Sequence, residues 1–520
     1  MKFLRSHLKG QWHSASSEAG SVVVDPTTEV SLATVSSSGV DFQSAVEFSR
    51  GTGGSALREL TFSQRGELLI AMSKAIHSKR EELLELSMQS CGSTRKDSKF
   101  DIDGATGTLY HYGALGKELG DSVRLADGEG EALGRNAVYW GRHGRLSRNG
   151  VAIHINAFNF PAWGFAEKAA AAILAGMPVI TKPASSTSIV TERCIDAVVE
   201  ARVLPEGVLG LICGSVGDLF DHLTGQDVVA FTGSASTAFR IRSHENLLRQ
   251  STRVNVEADS LNAAILGPDV EPGSEVWNLF VREVAREVTQ KSGQKCTAIR
   301  RILSPIDRID QLQDALCEEM QSRVVGNPFD EKVNVGPLAT ADQLSSVLDG
   351  TARLREVAEL IHGSGERIEG VGAEQGKGYF FGPTLLKLRE GATDELVHDL
   401  EVFGPVSTIC PYDGEAASAA CLNSKGKGTL VTSVYSDSEE WTFDLLQRCG
   451  SWSGRFYLAS EKMASQAPGS GVALPQSLHG GPGRAGGGEE LGGIRALDLY
   501  TQRVALQGTR RSVERFIGER

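Results

Sequence analysis

The sequence lacks the features that would indicate a membrane protein, an extracellular protein or a nucleic-acid-binding protein. None of its apolar runs approaches the ~20 residues that a membrane-spanning helix needs, and its polar N-terminal segment has no apolar core typical of a secretory signal. Its eight cysteines form no Cys-x-x-Cys pair, so neither a zinc site nor a disulfide framework is indicated. The formal net charge of −12 disfavours nucleic acid as the main partner. We therefore expect a cytoplasmic protein with reduced thiols.

Short apolar runs alternate with helical stretches in the first half of the chain. We predict strands at Val151–Ile155, Pro178–Thr181, Gly207–Cys213, Val228–Phe231, Arg253–Val256 and Ala263–Leu266. Between them we predict helices at Trp163–Ala175 and Ile189–Ala201. This alternation is typical of an α/β protein with a parallel sheet covered by helices. Such sheets bind ligands beyond the carboxyl ends of their strands.

The remaining pattern predicts a second α/β region and an extension. Residues 62–90 have helical periodicity, and the amphipathic helix Glu275–Gln290 is followed by α/β texture from Ile302 to about Ala459. Asp121–Arg148 has the pattern of a hairpin. The alternating tail Ala496–Leu506 is suited to adding a strand to a neighbouring subunit.

Three residues carry groups that can act together on a carbonyl carbon. Cys296, in a loop beginning at Gly293, can be a nucleophile, Glu257 can activate water, and the Asn159 amide can stabilise an oxyanion. Each has a simpler alternative as an isolated residue, namely an inert buried thiol, a solvated carboxylate and a turn residue. Their order and sequence context favour the chemical interpretation.

Six motifs occur in one order along the chain. They are Asn159-Phe160-Pro161, Lys182-Pro183, Phe231-Thr232-Gly233-Ser234, Glu257, Gly293-Gln294-Lys295-Cys296 and Glu401-Val402-Phe403-Gly404-Pro405-Val406. Together they resemble the NAD(P)-dependent aldehyde dehydrogenase superfamily over nearly the whole chain. The resemblance implies a Rossmann-type cofactor domain (1–120 and 149–262), an α/β catalytic domain (263–478) and a small β oligomerisation element (121–148 and 479–520). It also implies a homodimer or a dimer of dimers.

The resemblance assigns catalytic roles to five residues. Cys296 is implied as the nucleophile, Asn159 as an oxyanion donor and Glu257 as the base that hydrolyses the thioacyl enzyme. Lys168 and Glu490 are implied as a proton relay, although a snorkelling lysine and a turn-capping glutamate are the alternative. After Glu257 the family commonly has Leu-Gly-Gly-Lys, whereas this chain has Ala258-Asp259-Ser260-Leu261. Because Glu257 is present, hydrolysis is expected rather than acyl transfer to coenzyme A.

The resemblance also assigns the cofactor-binding residues. Lys182 is implied to contact the adenosine ribose, and many NAD-preferring members have a glutamate where this chain has Ser185. A carboxylate repels a 2′-phosphate and a serine can donate to it, so NADP is expected, with NAD less favoured. The other implied cofactor residues are Gly214, Gly217, Phe231, Gly233, Ser234, Glu401 and Phe403.

Two runs indicate a branch of the superfamily, residues 256–262 and the glycine-rich residues 479–493. They are similar to members that act on coenzyme A (CoA)-linked semialdehydes, which implies 3,4-dehydroadipyl-CoA semialdehyde as substrate in aerobic benzoate catabolism. The fused members carry a hydratase, for which this chain has no room after its dehydrogenase, so a free-standing enzyme is expected. The basic stretch Arg142–Arg148 either meets the CoA phosphates or is a solvated hairpin or subunit contact.

Four other functions stay open at this point. Two keep the chemistry but change the substrate, to the longer semialdehyde of the phenylacetate-CoA route or to a simple aliphatic aldehyde. The third is a non-catalytic binding protein, which the presence of Asn159, Glu257 and Cys296 disfavours. The fourth is a cysteine hydrolase, which is disfavoured because no histidine lies suggestively near Cys296 in the sequence.

Overall fold

The computed structural model describes residues 2–15, 20–136, 138–391 and 395–518. The α-helices within these residues are α1 Phe42–Phe48, α2 Gly54–Glu59, α3 Phe62–His77, α4 Arg80–Cys91, α5 Arg95–Leu119, α6 Trp163–Ala175, α7 Ser188–Ala201, α8 Ala235–Arg242, α9 Glu245–Gln250, α10 Glu275–Thr289, α11 Ile309–Gln321, α12 Ala341–Val357, α13 Glu395–Asp399, α14 Ala416–Lys425, α15 Glu439–Cys449 and α16 Arg510–Ile517. Within the same ranges, no helix is both long and apolar enough to cross a membrane.

The strands in the described part of the chain form two large sheets and three small ones. They are β1 Lys2–Phe3, β2 Ser6–Leu8, β3 Gln11–His13, β4 Ser21–Val24, β5 Ser31–Val35, β6 Leu125–Ala132, β7 Tyr139–Ser147, β8 Ala152–Ile155, β9 Val179–Lys182, β10 Leu209–Leu211, β11 Val228–Thr232, β12 Arg253–Glu257, β13 Ala263–Leu266, β14 Arg301–Pro305, β15 Ala358–His362, β16 Thr384–Leu388, β17 Val406–Tyr412, β18 Thr429–Tyr435, β19 Ser453–Ala459, β20 Leu478–Gly480, β21 Glu489–Leu491 and β22 Thr501–Thr509.

The first large sheet has the order β12-β11-β8-β9-β10-β2-β3. Its strands from β12 to β10 are parallel, and β2 and β3 add an antiparallel edge. The second large sheet has the order β15-β16-β17-β14-β13-β18-β19 and is parallel except at β15. The strands are apolar on both faces because helices cover both sides, as in β8 and β13, where every residue is buried. The α/β prediction is confirmed.

Two predicted elements differ in the structure. The single helical pattern over residues 62–90 is two helices, α3 and α4, separated by Ser78 and Lys79. The Ser78 hydroxyl donates to the Ala75 carbonyl at 2.7 Å and so satisfies a carbonyl at the end of α3. The predicted tail Ala496–Leu506 becomes a strand, β22, over Thr501–Thr509, which pairs antiparallel with β7 of its own chain and lies at the edge of the three-stranded sheet.

Candidate active site

One cavity brings together the three residues that the sequence suggested for carbonyl chemistry. Asn159, Glu257 and Cys296 all line it, together with Phe160 and Trp163. Glu257 is the last residue of β12 and lies at the carboxyl end of the parallel sheet. The site therefore lies where a parallel sheet binds its ligands.

The Cys296 loop leaves α10 through three consecutive residues with left-handed backbone. Lys291, Ser292 and Gly293 have φ values of 53°, 57° and 69°. A Cβ at Gly293 would lie 2.2 Å from the Gly404 carbonyl, so this position requires glycine. The two non-glycine residues in this conformation are strained, and strain of this kind is typical of functional sites. The loop is thus held in one shape beside the cavity.

Residues 258–262, which include the departure from the family pattern at 258–261, support the same loop. The Asn262 side-chain amide donates to the carbonyls of Cys296, at 2.7 Å, and Ala298, at 2.9 Å. The Ser260 N–H donates to Glu401 at 3.1 Å. These bonds connect residues 258–262 both to the Cys296 loop and to Glu401, an implied cofactor residue. The segment that follows β12 is therefore in direct contact with the Cys296 loop.

A histidine that the sequence analysis did not find lies between Cys296 and Glu257. The Nε2 atom of His479, in β20, is 3.8 Å from the Cys296 Sγ and 3.1 Å from the Glu257 Oε1. The expectation that no histidine lies near Cys296 is therefore wrong. His479 is separated from Cys296 by 183 residues, and only the pairing of β20 with β21 carries it into the cavity. Its sole sequence signal is its place at the start of the glycine-rich run.

The three side chains shift one another's protonation. Burial opposes charge on Glu257, but the charge of His479 and its hydrogen bond outweigh burial and lower the Glu257 pKa to about 2. Burial acts on His479 in the direction of a lower pKa, but the charge of Glu257 prevails and raises it well above its usual value. Burial and the Glu257 charge raise the pKa of the Cys296 thiol to about 11, while the hydrogen bond with His479 acts to lower it. His479 and Glu257 thus form a buried ion pair beside the thiol.

The same three side chains also have the spacing of a metal-ligand set. Their donor atoms lie within 4.8 Å of one another, and sulfur, nitrogen and oxygen are the ligand atoms that zinc accepts. The ion pair between His479 and Glu257 competes with such binding, because a ligating imidazole must be neutral.

Lys168 forms a second buried ion pair beside the first. Its Nζ lies 2.9 Å from the Glu490 Oε2 and 3.1 Å from the Glu167 Oε1. Glu167 also lines the cavity, although the sequence analysis did not include it. Burial raises the Glu167 pKa to about 7, against the lowering effect of Lys168. Burial opposes the charge on Lys168, but Glu490 and Glu167 outweigh it and raise its pKa. A carboxyl group that titrates near neutral pH therefore lies next to Lys168.

Asn159 lies in the turn between β8 and α6 and is almost fully buried. Asn159 lines the cavity with Cys296, and among the described residues no hydrogen bond involves its side-chain amide. The turn is held by its neighbours, since the Thr187 hydroxyl donates to the Phe158 carbonyl at 2.9 Å and the Trp163 N–H donates to Asp101 at 2.8 Å. The Asn159 amide is therefore placed to donate to a ligand in the cavity.

The residues implied to hold the adenosine end lie at the carboxyl ends of neighbouring parallel strands. Lys182 ends β9, and its Nζ donates to the Pro183 carbonyl at 3.0 Å. Ser185 begins the short 3₁₀ turn that leads into α7, where its carbonyl accepts a hydrogen bond from Ser188 at 2.8 Å. Gly214 has φ of +140°, and a Cβ there would lie 2.3 Å from the Ser37 nitrogen. The backbone at Gly214 therefore packs too closely against Ser37 to admit a side chain.

Four more implied cofactor residues lie near these strand ends. Gly217 has φ of +47° and packs against Phe42. Phe231 is in β11, the Gly233 N–H donates to the Glu257 carbonyl at 3.2 Å, and Ser234 caps the N-terminus of α8. Asp259 accepts the Ala235 N–H at 3.1 Å, which places a carboxylate at the same helix N-terminus.

Glu401 and Phe403 approach from the second large sheet. The Glu401 carboxylate is 3.7 Å from the Arg300 guanidinium, and burial, against the effect of Arg300, raises its pKa to about 7. The Phe403 ring packs edge-on against Phe158, with ring centroids 5.8 Å apart. Glu401 therefore contacts residues 258–262, and Phe403 contacts the turn that carries Asn159.

The basic stretch Arg142–Arg148 is engaged within its own chain. It lies in and just beyond β7, where Arg142 pairs with Glu514 and Arg145 pairs with Asp127 and Asp498. Arg148 is buried and donates to the Gln226 carbonyl at 3.0 Å. These contacts support the structural interpretation of this stretch over phosphate binding.

Comparison with known proteins identifies the family. The model of the aldehyde dehydrogenase family matches residues 12–503. The chain is 43% identical over 479 residues to the 3,4-dehydroadipyl-CoA semialdehyde dehydrogenase of Aromatoleum evansii, covering 92% of this chain and 93% of that protein. It is 25% identical to the betaine aldehyde dehydrogenase of Bacillus subtilis strain 168, covering 95% of each.

Solved structures share the fold. The 3,6-anhydro-L-galactose dehydrogenase in complex with NAP has a TM-score of 0.84 at 21% identity, covering 98% of this chain and 100% of that one. A betaine aldehyde dehydrogenase variant from Staphylococcus aureus in complex with NAD⁺ has a TM-score of 0.82 at 22% identity, covering 97% of each chain. At these identities the likeness supports the fold alone.

Proposed function

The chain belongs to the aldehyde dehydrogenase family, and on this premise we propose that it oxidises 3,4-dehydroadipyl-CoA semialdehyde to the carboxylic acid with NADP, in aerobic benzoate catabolism. The 43% identity with the Aromatoleum evansii enzyme over nearly the full length of both chains is the observation that carries this proposal. The family and the hydride chemistry rest on the family match, while the substrate and the preference for NADP are proposed.

Cys296 is the proposed nucleophile. Its thiolate attacks the aldehyde carbon, and the oxyanion of the resulting thiohemiacetal accepts hydrogen bonds from the Asn159 amide and the Cys296 N–H. Losing one such donor typically costs ~10²–10³ in rate. The positive charge of His479, 3.8 Å from the sulfur, favours the thiolate against the effects of burial and the Glu257 carboxylate.

In this proposal NADP would bind at the carboxyl ends of β8 to β11. Lys182 and Ser185 would hold the adenosine ribose and its 2′-phosphate, Gly214 and Gly217 permit close approach of the backbone, and Glu401 would hold the nicotinamide ribose. The bound nicotinamide supplies the hydride acceptor. At position 185 a hydroxyl can donate to the 2′-phosphate, whereas a carboxylate would repel it.

Glu257 is the proposed base for hydrolysis of the thioacyl enzyme. It takes a proton from water, which attacks the thioester carbonyl and releases the acid and the Cys296 thiolate. His479, which contacts both groups, can stabilise the carboxylate before this step and the departing thiolate during it. Lys168, Glu490 and Glu167 would carry the proton away, because Glu167 titrates near neutral pH beside Lys168.

We also propose a cytoplasmic homodimer or dimer of dimers. Residues 121–148 and 479–520, which contribute the antiparallel sheet β22-β7-β6, are the proposed oligomerisation element. The division into cofactor domain, catalytic domain and this element rests on the family resemblance.

The proposed function is tested by following reduced-cofactor absorbance. Purified protein is mixed with NADP or NAD and with the six-carbon CoA semialdehyde, its CoA-free counterpart or the longer phenylacetate-route semialdehyde, with Cys296→Ala as the inactive control. A kcat/KM that is highest for the six-carbon thioester with NADP supports the proposal. Equal turnover of simple aldehydes would reduce it to a general aldehyde dehydrogenase. Turnover that survives in Cys296→Ala would remove Cys296 as nucleophile.

A further inference from the structure

The catalytic cavity continues outward between the start of α5 and the end of α10. Phe100 in α5 and Trp163 in α6 line both the cavity and a more open groove next to it. That groove is also lined by Lys96, Lys99 and Gln290. The same three residues line a larger surface groove beyond it. The shared walls make one continuous path from Cys296 to the surface.

The outer part of this path is rich in cations. Arg95, Lys96, Lys99, Arg286 and Arg323 line the surface groove, and the acidic residues Glu85, Asp97, Asp330 and Glu331 line it too. The cations and anions are nearly equal in number, so the pairing of each cation decides which of them can bind a ligand.

Two of the five cations have no anionic partner in the part of the chain that the structure describes. Arg95 pairs with Glu81, Arg286 with Glu283 and Glu287, and Arg323 with Glu319. Within the described residues, neither Lys96 nor Lys99 forms a salt bridge, and both are exposed.

The lysines also lie closest to the inner opening of the path. Lys96 lies four residues before Phe100 on the same helix, so its Cα is ~6 Å further out along the helix axis. Asp97, which follows Lys96, is turned inward: it is buried and bonded to the Thr94 hydroxyl at 2.8 Å. The free positive charge is therefore concentrated just outside the aromatic neck formed by Phe100 and Trp163.

We propose that this groove binds the phosphate groups of the CoA part of the substrate, with Lys96 and Lys99 as the main contacts. The proposal rests on the proposed function. The aldehyde end reaches Cys296, the pantetheine arm passes the aromatic neck, and the nucleotide end lies in the outer groove. A phosphate group suits these side chains because a lysine ammonium binds it as a point charge without a fixed geometry.

The basic stretch Arg142–Arg148, which the sequence offered as another possible contact for the CoA phosphates, provides no comparable site. Its arginines are paired with Asp127, Asp498 and Glu514 or bonded to backbone carbonyls. The path from Cys296 passes instead between α5 and α10, the helix that positions the Cys296 loop. The groove thus connects the reacting carbon with a cationic site on the surface.

The test compares Lys96→Glu and Lys99→Glu with Lys117→Glu. All three lysines are exposed residues of α5 and each substitution changes the charge equally, but Lys117 lies 18 residues, or ~27 Å, beyond Lys99 along the helix. Two readouts are used: the KM and kcat for the CoA semialdehyde and its CoA-free counterpart, and the affinity for desulfo-CoA by calorimetry.

We expect the KM for the CoA semialdehyde to be at least ~5-fold higher in Lys96→Glu and Lys99→Glu than in the wild type, and the affinity for desulfo-CoA to fall by a similar factor. The kcat and the KM for the CoA-free semialdehyde should be retained. Lys117→Glu should behave as wild type. If the wild type prefers the CoA substrate but all three variants behave alike, the groove is not the CoA phosphate site, and the proposed function stands. If desulfo-CoA binding depends on Lys96 and Lys99 but the wild type shows no preference for the CoA substrate, the groove stands and the proposed function fails. If desulfo-CoA does not bind the wild type, the proposal that the groove binds the phosphate groups of CoA is refuted.

Discussion

Replacing His479 with glutamine tests how the buried ion pair controls the nucleophile. The substitution removes the cation that lies 3.1 Å from Glu257 and 3.8 Å from the Cys296 sulfur. Glutamine keeps a polar side chain that can still donate a hydrogen bond. The expected change is therefore a loss of charge more than a loss of volume.

The magnitude follows from Coulomb's law with an effective dielectric constant of ~20. A unit cation 3.8 Å from the sulfur stabilises a thiolate by about 4 kcal/mol, which corresponds to a pKa change of about 3. Part of this pKa change is offset at Glu257. When Glu257 loses its partner, its pKa rises from about 2, so it carries less negative charge near the thiol. We therefore expect the Cys296 pKa to rise above about 11 by at least ~1, with a thiolate fraction at least ~10-fold smaller at pH 7.

The assay is the rate of Cys296 alkylation by iodoacetamide between pH 7 and 11, which needs neither substrate nor cofactor. His7→Gln, which removes a buried histidine of β2 outside the cavity, serves as the control for general loss of an imidazole. The double variant His479→Gln/Glu257→Gln removes both charges and should recover part of the rate. Thermal unfolding and NADPH binding establish that each variant is folded. An alkylation profile in His479→Gln that overlays that of the wild type would refute the argument.

Three other substitutions separate the proposed steps. Glu257→Gln should form the thioacyl enzyme, seen as one equivalent of reduced cofactor, but then turn over ~10²–10⁴-fold more slowly; an unchanged steady state would assign the base elsewhere. Ser185→Glu should move the ratio of kcat/KM values from NADP towards NAD, and an unaltered ratio would show that another residue reads the 2′-phosphate. Gly214→Ala should weaken NADPH binding at least ~10-fold in a fluorescence titration. A Cβ there would lie 2.3 Å from the Ser37 nitrogen, so the backbone that carries Gly214 in the proposed cofactor site would have to shift. The exposed Gly107→Ala, where a Cβ meets nothing within 4 Å, should bind normally.

The sequence by itself determined the elements that depend on local pattern. The helix Trp163–Ala175 was predicted with the bounds that the structure has, and the strands at Val228 and Ala263 begin where predicted. Continuous apolar runs between turn residues identify such strands, and alanine-rich periodicity identifies the helix. The family motifs also identified Asn159, Glu257 and Cys296, which line one cavity, because each motif is a short run whose residues are close in sequence.

Only the tertiary structure decided which distant groups meet. His479 lies 222 residues from Glu257, and its place at the start of a glycine-rich run does not by itself indicate the contact. Glu167 became part of the site only because α6 and the β20–β21 hairpin place Lys168 between two carboxylates. The cationic groove likewise needs Lys96 and Arg286, from separate helices, on one surface. Protonation and ligand binding depend on distances between side chains, and those distances are fixed by how the sheets and helices pack.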